Sequence, residues 1–223
     1  MKRKEKKRKK KRISLWVKLL LIVAVCAGLY FFASSSYFNV TSFQVEGSTY
    51  YSEDEILTMG NCKTGGNIFW GSGLADIKDR LEKDPYMAKV RIKRILPDKI
   101  KIEITERTQI GAVVYGDNYV VIDKDENVLR KTEVEPQLTL IKGLTISKIE
   151  VGQPIEVEEK VQMRQIMDMI VSMNESDMYF KSIEISEAGV KAYVLDYLVC
   201  VGTPQNITQA METGNLQKVI KGL

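Results

Sequence analysis

The sequence contains no histidine, only three cysteines and only five prolines. Without histidine, His-based catalytic triads and His-ligated zinc sites are excluded. The chain also has no Gly-x-Ser-x-Gly elbow, no cysteine cluster, and no glycine-rich phosphate loop followed by Lys and Ser or Thr. We therefore predict a protein that is not an enzyme and that uses no cofactor, metal or small-molecule substrate.

Acidic residues are almost absent from the first twelve positions, which hold ten Lys or Arg and one acid, Glu5. This tail, residues 1–12, carries a formal charge of +9 within a net charge of +4, so the remaining residues together carry −5. The basicity is confined to a short tail beside a hydrophobic run, and the rest of the chain is mildly acidic. This distribution argues against a nucleic-acid-binding protein.

The sequence has one long hydrophobic run, residues 13–33, in which Lys18 is the only charged residue. About twenty helical residues are needed to cross the hydrocarbon core of a bilayer. Trp16 and Tyr30 suit the two interfaces and Lys18 can extend to the head groups, so we predict these three as membrane anchors. The basic tail predicts a cytoplasmic N-terminus. The alternative is a cleaved signal peptide, whose apolar region is usually shorter, roughly 7 to 15 residues.

The cysteines fall into two groups under this topology. Cys26 lies in the predicted membrane helix, whereas Cys62 and Cys200 lie in the extracytoplasmic part. That pair could oxidise outside the cell. Because the two residues belong to different predicted units, we favour free, partly buried thiols.

The pattern over residues 38–107 predicts a small α+β module with the order strand, helix, helix, strand, strand. The first strand ends at Gly47, and the capping box Ser52-Glu53-Asp54-Glu55 predicts the start of the first helix. Apolar residues recur at helical spacing over residues 74–83, which predicts the second helix.

A hairpin completes this module. Residues 88–95 and 99–106 alternate between apolar and polar over most of their length, which predicts two half-buried strands whose Lys and Arg side chains face water. The glycine-rich segment 64–73 is predicted to be a loop whose apolar residues tuck under the module: Ile68, Phe69 and Trp70.

Residues 109–223 form a second predicted unit, which is rich in strands and contains two helices. Strands over 110–115 and 119–123 open it, and three more are predicted around 183–185, 190–195 and 198–202. An amphipathic helix is predicted over 156–173, with a methionine stripe that suits either core packing or an adaptable binding face. A last helix is predicted over 208–221. The expected fold class is α+β, with an N-terminal transmembrane helix.

Several motifs resemble the POTRA module of the FtsQ/DivIB cell-division family. These motifs occur in the family's order and with its spacing. They are Phe38-Asn39-Val40, Val45-Glu46-Gly47, Asp84-Pro85-Tyr86, Ile95-Leu96-Pro97-Asp98 and Glu106-Arg107. In the second unit, Val121-Ile122-Asp123 and Glu126-Asn127-Val128 resemble the family's Ile-Asp-x-x-Gly segment. The resemblance implies that residues 38–107 are a POTRA domain and residues 109–223 a β-rich domain of the FtsQ/DivIB type.

The sequence departs from the family pattern at a few positions. Tyr86 stands in place of Trp, Thr108-Gln109 in place of Pro, and Asn127 in place of the hairpin Gly. Each replacement is chemically mild, since Asn tolerates the left-handed turn conformation that Gly would take. The family also has a strand after its last helix, whereas this sequence stops at Leu223. We expect either a clipped chain or the absence of that strand.

The resemblance implies a non-catalytic scaffold of the division septum that is anchored in the cell membrane. Its implied partners are single-pass division proteins of the FtsL/DivIC (FtsB) type and the septal peptidoglycan synthesis machinery. An exposed sheet edge can accept a strand from such a partner. We predict two sets of partner-binding residues: Lys89, Arg91 and Lys93 on the second POTRA strand, and Tyr193, Tyr197 and Val199 in the C-terminal sheet. The cations have an alternative role, protecting the edge from pairing.

Two other functions are compatible with an anchored module. A POTRA-bearing export or assembly factor would predict tandem copies, and the sequence shows no internal repeat. An extracytoplasmic sensor would need a pocket with convergent polar groups, and no motif indicates one.

Overall fold

The computed structural model describes residues 14–176, 178–186, 189–195 and 198–221. Its first element is helix α1 (Leu15–Ala33), none of whose residues is buried. At 1.5 Å per residue the helix is about 28 Å long, and it is long and apolar enough to cross a membrane. The basic tail, residues 1–12, lies outside the described residues.

The next elements form the predicted α+β module. Strand β1 (Ser42–Glu46) precedes helices α2 (Glu53–Met59) and α3 (Leu74–Leu81), and strands β2 (Met87–Ile95) and β3 (Lys99–Glu106) follow. The sheet order is β1-β3-β2, in which β1 runs parallel and β2 antiparallel to β3. The predicted order of elements is therefore confirmed.

Helix α2 starts as its capping box predicts. The Ser52 hydroxyl accepts from the Glu55 amide, and the Glu55 carboxylate accepts from the Ser52 amide at 2.8 Å. These two bonds satisfy amide donors at the start of the helix, which have no main-chain acceptor within it.

The hairpin of β2 and β3 buries one face against α2 and α3. Val90 pairs with Ile104 and Ile92 with Ile102, so alternate residues of both strands enter the core. Arg94 continues this row, opposite Ile100, so it lies on the other face of the strand from Lys89, Arg91 and Lys93, although it too remains exposed. Its guanidinium Nε donates to the main-chain carbonyl of residue 68 at 2.7 Å, which explains how the row accommodates a charge.

A seven-stranded sheet follows, with the order β12-β11-β10-β7-β4-β5-β6. Its strands are β4 (Gly111–Tyr115), β5 (Asn118–Ile122), β6 (Val128–Thr132), β7 (Thr139–Lys142), β10 (Ser182–Ser186), β11 (Gly189–Leu195) and β12 (Leu198–Gly202). Strand β7 runs parallel to both of its neighbours, and the other pairs are antiparallel. A separate two-stranded ribbon is formed by β8 (Ile146–Lys148) and β9 (Glu156–Val157).

Helix α4 (Lys160–Glu175) covers one face of this sheet, and its methionine stripe is buried in the core. The helix begins later than predicted, because residues 156 and 157 pair with β8. Glu159 then precedes the helix, where its carboxylate accepts from the amide and hydroxyl of Thr145 at 2.8 and 2.7 Å.

The last predicted helix is divided into α5 (Pro204–Glu212) and α6 (Asn215–Lys221), so the described residues after 109 contain three helices, not the predicted two. Gly214 has a φ of +70° between them, a conformation that ends a helix and that glycine adopts without cost. Helix α5 starts four residues earlier than predicted, with Thr203 as its N-cap and Pro204 at its first turn.

Candidate partner-binding surfaces

The first candidate surface is strand β2, which lies at an edge of the three-stranded sheet, as predicted. Lys89, Arg91 and Lys93 are exposed on the face away from the helices. Lys93 is engaged by Glu103 at 2.7 Å. Among the described residues, neither Lys89 nor Arg91 has an ion-pair partner, so these two cations face solvent.

A row of alternating charges crosses this face of the sheet. Lys101 lies 2.8 Å from Glu46 on β1 and 3.6 Å from Glu103 on its own strand, and Glu103 reaches Lys93 on β2. The hydrogen bond with Glu46 raises the pKa of Lys101, and that with Lys93 lowers the pKa of Glu103. These ion pairs connect all three strands. Lys93, one of the three cations at the β2 edge, is therefore already paired.

The second candidate surface is strand β12, which lies at one edge of the seven-stranded sheet. Val199 and Val201 are exposed on the face opposite the helices, whereas Cys200 between them packs against the core. Tyr193 on β11 lies opposite Val199 and donates its hydroxyl proton to Glu184 at 3.2 Å. The structure thus brings together Tyr193 and Val199, and Tyr197 lies outside the described residues.

Val201 was missed as a candidate, although its side chain is 61% exposed and lies on the same face as Val199. The alternation of Val199, Cys200 and Val201 was the available signal, because residues two apart in a strand share a face. The apolar surface of this edge is therefore larger than predicted.

The other edge of this sheet, β6, is partly occupied by its own chain. The amide of Val128 donates to the carbonyl of Gln153 at 2.8 Å, and the carbonyl of Val128 accepts from the amide of Gly152 at 2.8 Å. An added strand would have to displace these bonds, which favours β12 as the open edge.

The two sheets are joined by a buried ion pair. Arg107, which follows β3, donates to Asp123 at the end of β5 at 2.8 Å, and the Asp123 side chain is only 2% exposed. The other carboxylate oxygen accepts from the amides of Asp125 and Asn127 at 2.9 and 2.8 Å. Asp123 therefore organises the β5–β6 turn and holds the first sheet against it.

Comparison with known proteins identifies the relatives of this architecture. Residues 38–107 match the sequence profile of the FtsQ-type POTRA domain. The cell division protein DivIB of Clostridium acetobutylicum is 30% identical over 194 residues, which cover 85% of this chain and 74% of that protein. This chain belongs to the FtsQ/DivIB family of cell division proteins. DivIB of Clostridium botulinum, strain Hall, is 24% identical over 95% of this chain and 82% of that protein.

Among solved structures, the major extracytoplasmic domain of the trans isomer of DivIB from Geobacillus stearothermophilus aligns with 48% of this chain and 87% of its own length. The alignment has 11% identity and a TM-score of 0.33, which is too low to carry a structural argument.

The FtsQ/DivIB motifs have visible structural roles in this chain. Tyr86, in the place of the family's Trp, is buried and stacks on Tyr50 with ring centroids 4.1 Å apart. In the turn, the left-handed conformation is adopted by Glu126, with a φ of +66°, and not by Asn127. Asn127 is instead buried, and its side-chain amide donates to both Asp123 oxygens at 3.1 Å. The substitution of Gly therefore adds hydrogen bonds to the turn.

The predicted membrane anchors lie at both ends of α1. Trp16 and Lys18 are exposed near its start, and Tyr30 stacks on Trp70 near its end, with ring centroids 5.6 Å apart. The prediction that Trp70 tucks under the module was wrong, because this ring lies against α1 and remains largely exposed. Ile68 is buried as predicted.

All three cysteines lie in described parts of the chain, and none forms a disulfide. Cys62 and Cys200 are both half-buried, as predicted. Burial raises the pKa of Cys62 to about 11, although Arg80 acts in the opposite direction, and burial also raises the pKa of Cys200. Both thiols are therefore protonated and poorly reactive at neutral pH.

Glu106 of the Glu106-Arg107 pair fixes the loop after β1. Its carboxylate accepts from the Ser48 hydroxyl, from the Thr49 amide at 2.8 Å and from the Tyr50 amide at 3.1 Å. Partial burial raises the pKa of Glu106, but these hydrogen bonds outweigh it and hold the pKa below its ordinary value. The ionised form is therefore the one that stabilises the fold.

Replacing Glu106 with glutamine is expected to lower the free energy of unfolding by about 2 kcal/mol at pH 7, because one amide oxygen cannot replace two charged acceptors. Since the folded pKa is depressed, the stabilisation is present above the unfolded pKa, about 4.3, and is lost as pH falls through the folded value. Thermal unfolding of the detergent-solubilised proteins should therefore show a gap in unfolding temperature between the native chain and Glu106→Gln, and this gap should narrow at acid pH.

The exposed Glu133 provides the control for this experiment. Glu133→Gln should leave stability near that of the native chain throughout the pH range. An equally large gap for Glu106→Gln at pH 3 and pH 7 would show that the charge of Glu106 does not stabilise the loop.

Proposed function

We propose that this chain is a non-catalytic scaffold of the division septum, anchored in the cell membrane with its N-terminus in the cytoplasm. Its partners are single-pass division proteins of the FtsL/DivIC (FtsB) type, which it recruits or regulates together with septal peptidoglycan synthesis. Membership of the FtsQ/DivIB family supports a division role. The observation that carries the scaffold role is the apolar, open edge strand β12.

Strand β12 suits an added strand better than the edges β2 and β6 do. Its exposed Val199 and Val201 offer apolar contact to alternate side chains of an incoming strand, while main-chain bonds supply affinity. The β2 edge presents Lys89 and Arg91, and charged side chains at an edge discourage pairing. We therefore assign partner docking to residues within 109–223 and a protective role to the β2 cations.

Tyr193 adds specificity to this surface. Its ring lies on the face that carries Val199, and its hydroxyl is held by Glu184. A tyrosine offers a large apolar area together with one polar group, a combination enriched where interfaces derive their binding energy. A partner strand beside β12 would place a side chain over this ring.

Placing a charge on the β12 edge is expected to weaken partner binding. Val201→Lys should reduce affinity for the extracytoplasmic segment of an FtsL/DivIC-type partner by roughly tenfold or more, because the ammonium group loses its water when the strand docks. Titration calorimetry with the full chain in nanodiscs measures this change.

Val161 on α4 gives a matched control, since it is 67% exposed and lies on a helix. Val161→Lys should leave the affinity unchanged. Equal affinity for the native chain and Val201→Lys would remove β12 as the docking strand.

The cellular role is tested by localisation and depletion. A fluorescent protein fused to the N-terminal tail should form a midcell band in dividing cells, and depletion of the chain should block septation and yield filaments. A uniform membrane signal with normal division would contradict the proposed scaffold.

A further inference from the structure

The loop 66–71 returns to the end of α1 and is held there by two independent contacts. The Asn67 side-chain amide donates to the carbonyl of Ala33 at 2.8 Å. This carbonyl belongs to the last turn of the helix, where no later amide can reach it. The Trp70 ring stacks on Tyr30 with an interplanar angle of 23°.

A connected group of aromatic rings extends this contact. Trp70 adjoins Phe69 at 5.6 Å, Phe69 adjoins Phe38 at 5.3 Å, and Phe38 meets Phe32 of α1 at 5.2 Å. Rings at these separations are within the range of favourable aromatic packing. The loop is therefore attached to the helix along its last turn and to the POTRA domain behind it.

The loop itself is tightly closed. The Gly71 amide donates to the Asn67 carbonyl at 2.7 Å. A Cβ on Gly66 would lie 2.3 Å from the Gly71 carbonyl oxygen, so these two backbones touch. Ile68, fully buried, fixes the loop to the core. Trp70 is thus presented by a closely packed loop.

The Trp70 side chain is 57% exposed, and Tyr37 and Phe31 beside the same helix end are also largely exposed. A group of large, exposed apolar rings usually marks a surface that contacts a membrane or another protein. Helix α1 is about as long as the hydrocarbon core is thick, so its last turn, with Tyr30, reaches the outer interface. Trp and Tyr side chains are enriched at that depth.

We propose that the loop 66–71 lies in the outer interface of the bilayer, with Trp70 among the lipid head groups, and docks the POTRA domain on the membrane. The proposal rests on the proposed anchoring of α1 and adds a second, independent lipid contact. The occupant is the bilayer because the exposed rings continue directly from the helix that spans it.

The two tryptophans of the sequence allow a direct test. Trp16→Phe leaves Trp70 as the only tryptophan in the full chain. This variant is reconstituted into vesicles of phosphatidylcholine and phosphatidylglycerol that contain lipids brominated at shallow or deep acyl positions. Shallow bromines should quench Trp70 at least twofold more than deep ones, and acrylamide should quench it weakly.

Tyr115, which is 53% exposed at the end of β4, provides the control position. Tyr115→Trp in a chain with Trp16→Phe and Trp70→Phe should be quenched by acrylamide and not by brominated lipid. Because the vesicles contain no other protein, quenching of Trp70 by bromine reports lipid and excludes a partner helix as the cause.

Flotation of the same vesicles after carbonate extraction distinguishes the proposed anchoring of α1 from the proposed lipid contact of the loop. Vesicles that retain the chain, with Trp70 quenched by lipid no more than the Tyr115→Trp control, would overturn the loop proposal alone. Loss of the chain from the vesicles would overturn the anchoring and, with it, the proposed docking of the loop.

Discussion

Replacing Arg107 with alanine is expected to lower the free energy of unfolding by about 3 kcal/mol, because it leaves the Asp123 carboxylate buried without a cation. Asp123 is almost fully buried, and five hydrogen bonds from Arg107, Asp125 and Asn127 converge on its two oxygens, at 2.8 to 3.1 Å. Removal of the guanidinium therefore imposes the desolvation cost of the charge on the junction between the two sheets. Urea unfolding of the full chain in detergent measures the loss.

A second substitution shows whether the charge is responsible. In the Asp123→Asn background, Arg107→Ala should cost much less, since no buried charge is left unpaired and the amide oxygen still accepts from the turn. Lys124→Ala serves as a control, because its ion pair with Asp125 spans 3.9 Å between exposed side chains. Equal costs for Arg107→Ala in both backgrounds would show that Arg107 acts through packing alone.

The local features of the fold were predictable from the sequence. The capping box at Ser52 and the alternation in residues 88–106 depend on neighbours in the chain, and both appear where expected. The edge position of β2 followed from the resemblance to POTRA modules. The resemblance to the FtsQ/DivIB family also rested on local motifs, such as Glu106-Arg107.

The remaining features depend on contacts between distant segments. Nothing near Trp70 in the sequence indicates that its ring stacks on a helix 40 positions earlier. The parallel pairing of β7 with β4 and β10 joins segments separated by entire elements, so periodicity alone could not place it. The start of α4 was misplaced for the same reason, since Glu156 pairs with Lys148.

The division of the last helix was a different kind of error. Gly214 interrupts residues 208–221, and an isolated glycine late in a helical pattern is a recognised stop signal. At Asn127, by contrast, the sequence suggested a backbone role that the structure does not show. Asn127 replaces a family glycine, but its side chain forms hydrogen bonds, and the adjacent Glu126 has the positive φ.

Gly47→Ala is expected to cost at least about 3 kcal/mol, the sum of an unfavourable positive φ and a direct clash between backbones. Gly47 follows β1 with a φ of +85°, and a Cβ there would lie 2.1 Å from the carbonyl oxygen of Ile104. No side-chain rotation relieves this contact, so β1 must move away from β3. Urea unfolding of the full chain in detergent provides the measurement.

Gly65→Ala separates the two contributions, because Gly65 has a similar φ of +91° but nothing within 4 Å of its added Cβ. We expect a loss of roughly 1 kcal/mol there, from backbone conformation alone. Equal losses at both positions would show that the close approach to β3 relaxes without cost. A larger loss at Gly47 means that glycine is required for contact between strands, and the same displacement would pull Ser48 and Thr49 away from Glu106. The Gly47 and Glu106 motifs then form one structural unit, which brings the β1 loop onto the end of β3 beside Arg107.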